Sequence, residues 1–358
     1  MLRALLWTLT PFAFLSLLCA LLYALAALAG SRLLGFAARG LASALALTAC
    51  ACYGVVASVV LRVLGYGGLG QWTTARAYKW TMRWVAGVEF VVEDEGKRAW
   101  EEREDRRRRG RSGEGEEKVG GRLDGAAEGE EVVYGRRGYL GTRPAVFVGN
   151  HQTELDVLLL ACIFPPYCSV TSKKSLKYWP FLGWFMTASK TVFIDRANRT
   201  SAVAAFDGAA EQMRRERQSV FIFPEGTRSY AETPMLLPFK KGAFHLAVQA
   251  QVPVVPVVAA NYSHILNMKK RVFNPGGIRT KVLRPIPTTG MTAADVPALA
   301  ERVRDLMLRE LVALSAHPEP NGAASKKEEK GEEEEGEDDS VGGGGALPPP
   351  PPQQQQPR

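Results

Sequence analysis

Two polar stretches, each closing an apolar run, hold the residue types that could do chemistry. Asn150-His151-Gln152-Thr153-Glu154-Leu155-Asp156 follows Ala145–Val148, a run with the length and the β-branched, aromatic content of a buried strand. Asp156–Ile163 then reads as a helix, with Thr153 as N-cap and Asp156 as its capping-box partner. A histidine and a carboxylate five residues apart across such a strand-to-helix turn can face each other. The carboxylate accepts from one imidazole nitrogen and leaves the other as a base. The same pair also describes a packed histidine beside a helix cap. Phe221-Ile222-Phe223-Pro224-Glu225-Gly226-Thr227-Arg228-Ser229 is a second strand ending in polar residues. Arg228 offers a planar fork that matches a phosphate, Thr227 and Ser229 add hydroxyl donors, and Gly226 lets backbone come close to a ligand. Lys190–Arg196 repeats the pattern, with Val192–Ile194 ending in Asp195-Arg196. Alone, that pair is a solvated ion pair. Taken together, three strand ends carrying His/Asp, Asp/Arg and Glu/Arg predict one site with phosphate-binding cations and a single base that works near neutral pH.

The elements that must position these residues follow from periodicity. Short apolar runs at Ala145–Val148, Val192–Ile194, Val220–Phe223 and Val252–Val258 alternate with helical patterns at Asp156–Ile163, Ser201–Arg217, Ala243–Gln249 and Ala298–Leu314. This alternation predicts an α/β domain with a mostly parallel central sheet flanked by helices, over residues 88–314. Val88–Val92 reads as a further strand. Asp94–Gly138 does not continue it: charge and glycine dominate, and the stretch predicts a disordered insertion. Residues 315–358 collapse into runs of Glu, Gly, Pro and Gln and predict a disordered tail.

The chain has 358 residues and a net charge of +8; the stretch from Glu319 onward carries −6, which leaves +14 on the rest. A body this basic suits phosphates or an anionic membrane surface. Residues 1–87 form the third region. Ala4–Ala29 and Gly40–Leu61 are free of charge and long enough to cross about 30 Å of hydrocarbon. They predict a membrane helical hairpin, with a half-buried pair as the alternative. Arg3, Arg62, Arg76, Lys79 and Arg83 outside the hairpin, against Arg32 and Arg39 within it, place the catalytic part in the cytosol. Gly65–Gly70 spells a dinucleotide fingerprint, but it follows a membrane-type segment rather than a strand and reads as an elbow. The aromatic, basic stretch from Trp72 to Trp84 fits either a membrane interface or a helix packed on the domain. Lys173–Met186 also mixes lysines with large aromatics, as ordinary core and surface or as an interfacial segment that admits an amphiphile. Five cysteines without a zinc spacing read as reduced, buried thiols.

Asn150-His151-Gln152-x-x-x-Asp156, Phe193-Ile194-Asp195-Arg196, Phe223–Ser229 and Val252-Pro253-Val254-Val255-Pro256-Val257, in this order, resemble the four blocks of the glycerolipid acyltransferases, and among them the 1-acylglycerol-3-phosphate acyltransferases. The resemblance spans roughly Phe90 to Leu314, and the insertion at Asp94–Gly138 is the one departure. It implies that His151 deprotonates the free hydroxyl of lysophosphatidic acid for attack on acyl-CoA, with Asp156 orienting it. Asp195, Arg196, Glu225, Gly226, Thr227 and Arg228 would hold the acceptor's glycerol phosphate. It also implies an integral membrane protein of the endoplasmic reticulum whose partners are acyl-CoA, lysophosphatidic acid and the lipid bilayer, with no nucleic acid, no metal and no cofactor. Three alternatives remain at this level: a sister acyltransferase acting on glycerol 3-phosphate or another lysophospholipid, a metal-dependent phosphoesterase, and a non-catalytic membrane scaffold.

Overall fold

The structure is a computed structural model describing residues 2–111, 138–195 and 199–316. Arg196, the distal part of the charged insertion and nearly all of the C-terminal tail lie outside these residues. The apolar runs become strands β1 (Val88–Asp94), β2 (Val146–Gly149), β3 (Cys168–Lys173), β4 (Val192–Ile194), β5 (Ser219–Ile222), β6 (Val254–Ala259), β7 (Leu266–Asn267), β8 (Val272–Phe273) and β9 (Gly276–Val282). The helices are α1 (Leu2–Ala29), α2 (Arg32–Val63), α3 (Gly70–Val85), α4 (Glu95–Arg111), α5 (Asp156–Ile163), α6 (Leu182–Ala188), α7 (Arg199–Glu216), α8 (Gly242–Ala250) and α9 (Val296–Ala316).

Seven strands form one sheet in the order β1-β9-β6-β2-β5-β3-β4. Only the β6–β9 pair is antiparallel. The strand pleat explains why β2, β5 and β6 are buried at every position and apolar at all but Ser219. Phe147, Phe221 and Val255 point to one face, where they pack with Leu158 and Leu159 of α5. Val146, Val148, Ile222 and Val258 point to the other, against Met213 of α7, Leu246 of α8 and Val303 of α9. Strands buried on both faces lose period-two alternation. Each such side chain contributes about 1.5–3 kcal/mol when fully buried. Polar residues therefore start where these strands leave the core, at their C-terminal edge.

The first two helices form the expected apolar pair. Ser31 caps α2 by accepting from the Leu34 amide at 3.4 Å. A stripe of small residues, including Ala38, Ala42, Ala46, Cys50 and Gly54, is buried along α2. This stripe lets α2 lie closely on its neighbours, and the helix is tied to the domain near both ends. Arg39 Nη1 donates to the Phe273 carbonyl at 2.9 Å and Arg62 Nη2 to the Ala188 carbonyl at 2.7 Å. The elbow after α2 turns at Gly65, whose φ of +83° suits a residue without Cβ, and leads into α3. On α3, Tyr78 and Met82 are buried while Trp80 and Trp84 face outward.

The described part of the charged insertion departs from the expectation of disorder: Glu95–Arg111 is the helix α4. Its cap is Asp94, a buried carboxylate at the end of β1. Asp94 Oδ1 accepts from the amides of Gly96 (2.9 Å), Lys97 (3.1 Å) and Tyr139 (2.8 Å), and Oδ2 from Leu140 (2.9 Å). One side chain thereby caps α4 and ties together the two ends of the insertion. A Cβ at Gly138 would sit 2.3 Å from Asp94 Oδ1, so the closure also demands glycine there. Asp94→Ala leaves four amides without this acceptor, those of Gly96 and Tyr139 buried and those of Lys97 and Leu140 partly so. A loss of about 2–4 kcal/mol follows, read as a fall in the thermal midpoint of roughly 5–15 °C. An unchanged midpoint would show that the insertion is not closed through this carboxylate.

Candidate active site

The parallel register carries His151 and Glu225 to the same edge. Val148 is level with Ile222, so three residues beyond each, the chain presents His151 beside Glu225. Asn150 continues the sheet with its side chain: it donates to the Ala259 carbonyl and accepts from the Ala259 amide, both at 2.9 Å. Gln152 Nε2 donates to the carbonyls of Ala259 (3.1 Å) and Ala260 (2.9 Å). His151 is thus bracketed by two amide side chains that bind the end of β6 and hold its backbone in place.

Thr153 is not the N-cap expected for α5, whose N-cap is Leu155 without a side-chain bond; Thr153 and Asp156 instead order the turn ahead of the helix. Thr153 Oγ1 accepts from the Leu155 amide at 3.2 Å, and Asp156 Oδ2 accepts from the Thr153 amide at 3.2 Å and the Gln152 amide at 2.6 Å. The same Oδ2 lies 2.7 Å from His151 Nδ1. On the other oxygen, Tyr262 donates its hydroxyl to Oδ1 at 2.6 Å. Burial, and then the Asp156 charge, push the Tyr262 phenol well above its usual range, so it stays a donor. Asp156 is only 2% exposed, and the Gln152 amide, the Thr153 amide and the Tyr262 hydroxyl all donate to it. An ionised carboxylate is the species this shell fits, and it fixes the imidazole proton on Nδ1. Nε2 is left as a bare lone pair. The ring stacks on Phe223, with centroids 4.2 Å apart and planes 16° from parallel, so its swing is limited on that side as well.

Glu225 lies in a turn closed by the Gly226 amide on the Phe223 carbonyl at 3.1 Å. It is buried, and both oxygens are used on backbone: Oε1 accepts from the His151 amide at 2.7 Å and Oε2 from the Leu237 amide at 2.9 Å. Burial raises its pKa, against the pull of those two amides. The geometry gives Glu225 the task of holding the His151 backbone rather than presenting a carboxylate to a ligand. Gly226 has φ of +71° and is crossed by the side chain of Lys240, whose Nζ would lie 2.9 Å from any Cβ there. Thr227 is exposed.

Arg228 is half-buried. Its Nη1 donates to Glu154 Oε1 at 3.1 Å and to the Tyr230 hydroxyl at 3.3 Å, while that hydroxyl donates to Glu154 Oε1 at 2.6 Å. Burial opposes the guanidinium charge, but the Tyr230 hydroxyl and the Glu154 carboxylate outweigh it and raise Arg228 above its ordinary value. Arg228 Nε is enclosed without an acceptor. Backbone pairing of the Ser229 and Tyr230 amides with the His151 and Gln152 carbonyls, at 2.9 and 3.1 Å, keeps this arginine segment against the histidine segment. A cleft of about 280 Å³ opens beside them, between Gln152–Glu154, Tyr230 and the 263–269 segment.

Asp195 is placed elsewhere. β3 and β5 stand between β4 and β2, so the end of β4 is about 14 Å from the end of β2 at three strand spacings. There Asp195 pairs with Lys174 at 3.3 Å, and Arg196 lies outside the described residues. The strand ends of β2 and β5 meet; that of β4 does not join them. Sequence reasoning gave no site role to Tyr262, Glu154, Tyr230 and Lys240, and read Phe223 only as part of its block without the stacking on His151. Glu154 stood inside a block already singled out, but Tyr262 is 106 residues from its partner and carries no local signal. Among the described residues no group of three or more His, Cys, Asp or Glu side chains is arranged to hold a metal ion.

An Acyltransferase family model matches residues 127–260. The chain is 37% identical over 283 residues to the 1-acyl-sn-glycerol-3-phosphate acyltransferase of Saccharomyces cerevisiae, covering 79% of this chain and 80% of that protein. It is 41% identical over 262 residues to an uncharacterized acyltransferase of Schizosaccharomyces pombe, covering 73% and 79%. With the human 1-acyl-sn-glycerol-3-phosphate acyltransferase beta it shares 43% identity over 183 residues, 51% of this chain and 65% of that one. The fold is that of the crystal structure of the 1-acyl-sn-glycerophosphate (LPA) acyltransferase PlsC from Thermotoga maritima, with a TM-score of 0.56 at 20% identity, covering 81% and 98%. The chain belongs to the 1-acyl-sn-glycerol-3-phosphate acyltransferase family.

Proposed function

We propose that this protein transfers an acyl chain from acyl-CoA to the sn-2 hydroxyl of 1-acyl-sn-glycerol 3-phosphate, giving phosphatidic acid. The observation that carries the reading is the 2.7 Å contact of His151 Nδ1 with a buried, fully solvated-by-protein carboxylate, at an edge shared with Arg228. His151 Nε2 takes the proton of the acceptor hydroxyl as its oxygen attacks the thioester carbonyl. The C–S bond then breaks, and the CoA thiolate leaves and takes up the proton. Asp156 stabilises the transient imidazolium, and no covalent enzyme intermediate is needed. Such a base contributes roughly 10²–10⁴-fold, so alignment of the two substrates supplies most of the remainder.

Arg228 binds the acceptor's phosphate. In the ligand-free arrangement its Nη1 is engaged by Glu154, so a phosphate that takes the guanidinium competes with that carboxylate or approaches beside it. Glu225 acts indirectly, through the His151 backbone. Asp195, with Arg196, belongs to a more distant part of the substrate path than the reacting hydroxyl.

The protein works on a membrane, in this reading that of the endoplasmic reticulum with the catalytic domain on the cytosolic side. The packing of α2 supports a helix pair half-embedded in one leaflet. Arg39 and Arg62 both reach domain carbonyls, and the 23 helical rises from one to the other correspond to about 35 Å, more than the hydrocarbon thickness of about 30 Å. A helix bound to the water-soluble domain over that length has no free stretch with which to cross.

The test is an assay of purified protein with acyl-CoA and lysophosphatidate, with phosphatidic acid identified by mass. His151→Ala is expected to lower turnover by about 10³-fold or more while the thermal midpoint stays near that of the unaltered chain; retained turnover would remove the base from the mechanism. In the same assay Arg228→Ala raises KM for lysophosphatidate by about 30- to 100-fold, the value of a lost charge-assisted pair. Glu154→Gln lowers that KM several-fold at unchanged kcat. A rise in KM in Glu154→Gln would mean that the carboxylate positions the arginine instead of competing for it.

A further inference from the structure

The seven residues Tyr178–Trp184, which run from the turn after β3 into α6, carry the most exposed aromatic surface of the catalytic domain among the described residues. Tyr178 is 74% exposed, Trp179 58%, Phe181 42% and Trp184 58%. None of them is needed to explain the site. Large apolar side chains grouped in this way on a folded domain mark a surface that something covers.

The arm is held in shape, so the exposure is not that of a loose loop. A 3-10 turn over Lys174–Tyr178 is closed by the Trp179 amide on the Leu176 carbonyl at 3.2 Å, and the Gly183 amide bonds the Trp179 carbonyl at 2.8 Å. Gly183 is pressed against the turn: a Cβ there would stand 2.3 Å from the Lys177 carbonyl oxygen. Phe181 has φ of +58°, a conformation that costs a bulky residue energy and persists only where its surroundings impose it. Phe181 and Trp184 make an edge-to-face pair with centroids 5.2 Å apart. The turn thus builds a small rigid platform and directs its rings away from the domain core.

Two features identify the cover. The first is charge: Lys173 and Lys177 are exposed beside the rings, Lys174 beside them pairs with Asp195, and no acidic residue occurs in the sequence between Asp156 and Asp195. Cations next to Trp and Tyr are the composition of a membrane interface, where rings sit at headgroup depth and ammonium groups meet anionic lipid. The second is position. The arm runs into α6, which packs on the C-terminal half of α2: a Cβ at Gly54 would lie 2.5 Å from the Phe185 ring, and Arg62 binds the Ala188 carbonyl. That half of α2 exposes Tyr53, Val56, Val59, Val60 and Val63. The platform is therefore continuous with the apolar surface already assigned to the bilayer.

We infer that the Tyr178–Trp184 platform is a second membrane contact, which inserts into the headgroup layer of an anionic leaflet and sets the catalytic domain's tilt on it. This rests on the membrane reading above, but not on the reaction assigned to His151. Its task is to hold the active-site edge at the depth where a lipid acceptor's hydroxyl lies.

The full-length protein is reconstituted in vesicles of phosphatidylcholine with a minor fraction of phosphatidylserine, the acyl chains brominated near the headgroup. Tryptophan emission is compared between the unaltered chain and Trp179→Phe/Trp184→Phe, which keeps the platform apolar. The emission assigned by difference to Trp179 and Trp184 is expected to be at least halved by bromine. Emission that bromine leaves untouched, from protein that co-sediments with the vesicles, overturns the inference and leaves a protein partner as the cover. A second arm uses Trp179→Ser/Trp184→Ser. Turnover on vesicle-borne lysophosphatidate should fall roughly tenfold, while turnover on a short-chain lysophosphatidate dissolved as monomers is retained. Equal loss on both overturns the inference. Absence of turnover by the unaltered chain on either acceptor counts against the proposed reaction, and the quenching result still decides the platform.

Discussion

The site depends on one carboxylate kept charged out of water. Asp156 gives up nearly all its hydration, and an isolated buried carboxylate would respond by taking a proton. It is spared that by donors from three directions: the Tyr262 hydroxyl, the Gln152 and Thr153 amides, and His151 itself. The first comes from beyond β6, the amides from the turn into α5, and the histidine from the end of β2. The carboxylate can orient the imidazole only because these separate elements converge on it. A partly satisfied shell would be worse than none, since each missing donor leaves charge uncompensated in a low-dielectric pocket.

Convergence is a property of the sheet. Parallel β2 and β5 end at one edge, so residues far apart in the chain arrive side by side and the His151 amide finds the Glu225 carboxylate. Glu225 resembles Asp156 in using a buried carboxylate to order backbone, and Asp94 does so a third time at the base of the charged insertion. At each place an acidic side chain at a strand end accepts several amides and fixes a change of chain direction. Only at Asp156 is a titratable partner included, and only there does the arrangement become a base.

The parts of this fold that are written locally were legible. β2, β5 and β6 are buried on both faces and so appear as unbroken apolar runs; α5 was readable from its apolar run after Asp156, although its N-cap is Leu155 and the Thr153 and Asp156 contacts order the turn ahead of it. β3 was not, because Cys168-Ser169-Val170-Thr171-Ser172-Lys173 is half-exposed and polar. Missing that strand had a consequence. With β3 between β5 and β4, Asp195 moves two strands from β5, and three similar-looking strand ends resolve into one joined pair and one separate position. β9 was missed for the same reason, with burial at alternate residues only. Tyr262 had no local signature at all, since its role exists only once β6 lies beside β2. Helix α4 was hidden because its residues are nearly all charged; what starts it is the side chain of Asp94, not an apolar face.

The central claim concerns a proton: Asp156 holds it on Nδ1 of His151 and leaves Nε2 bare. Nitrogen-15 NMR of the histidine-labelled protein reports this directly, with the His151 signals assigned by their loss in His151→Gln among the four histidines of the chain. At a pH where the imidazole is neutral, a protonated Nδ1 and an unprotonated Nε2 are expected. A signal showing the proton on Nε2 would mean that the free nitrogen faces Asp156, and the base assigned here would not exist.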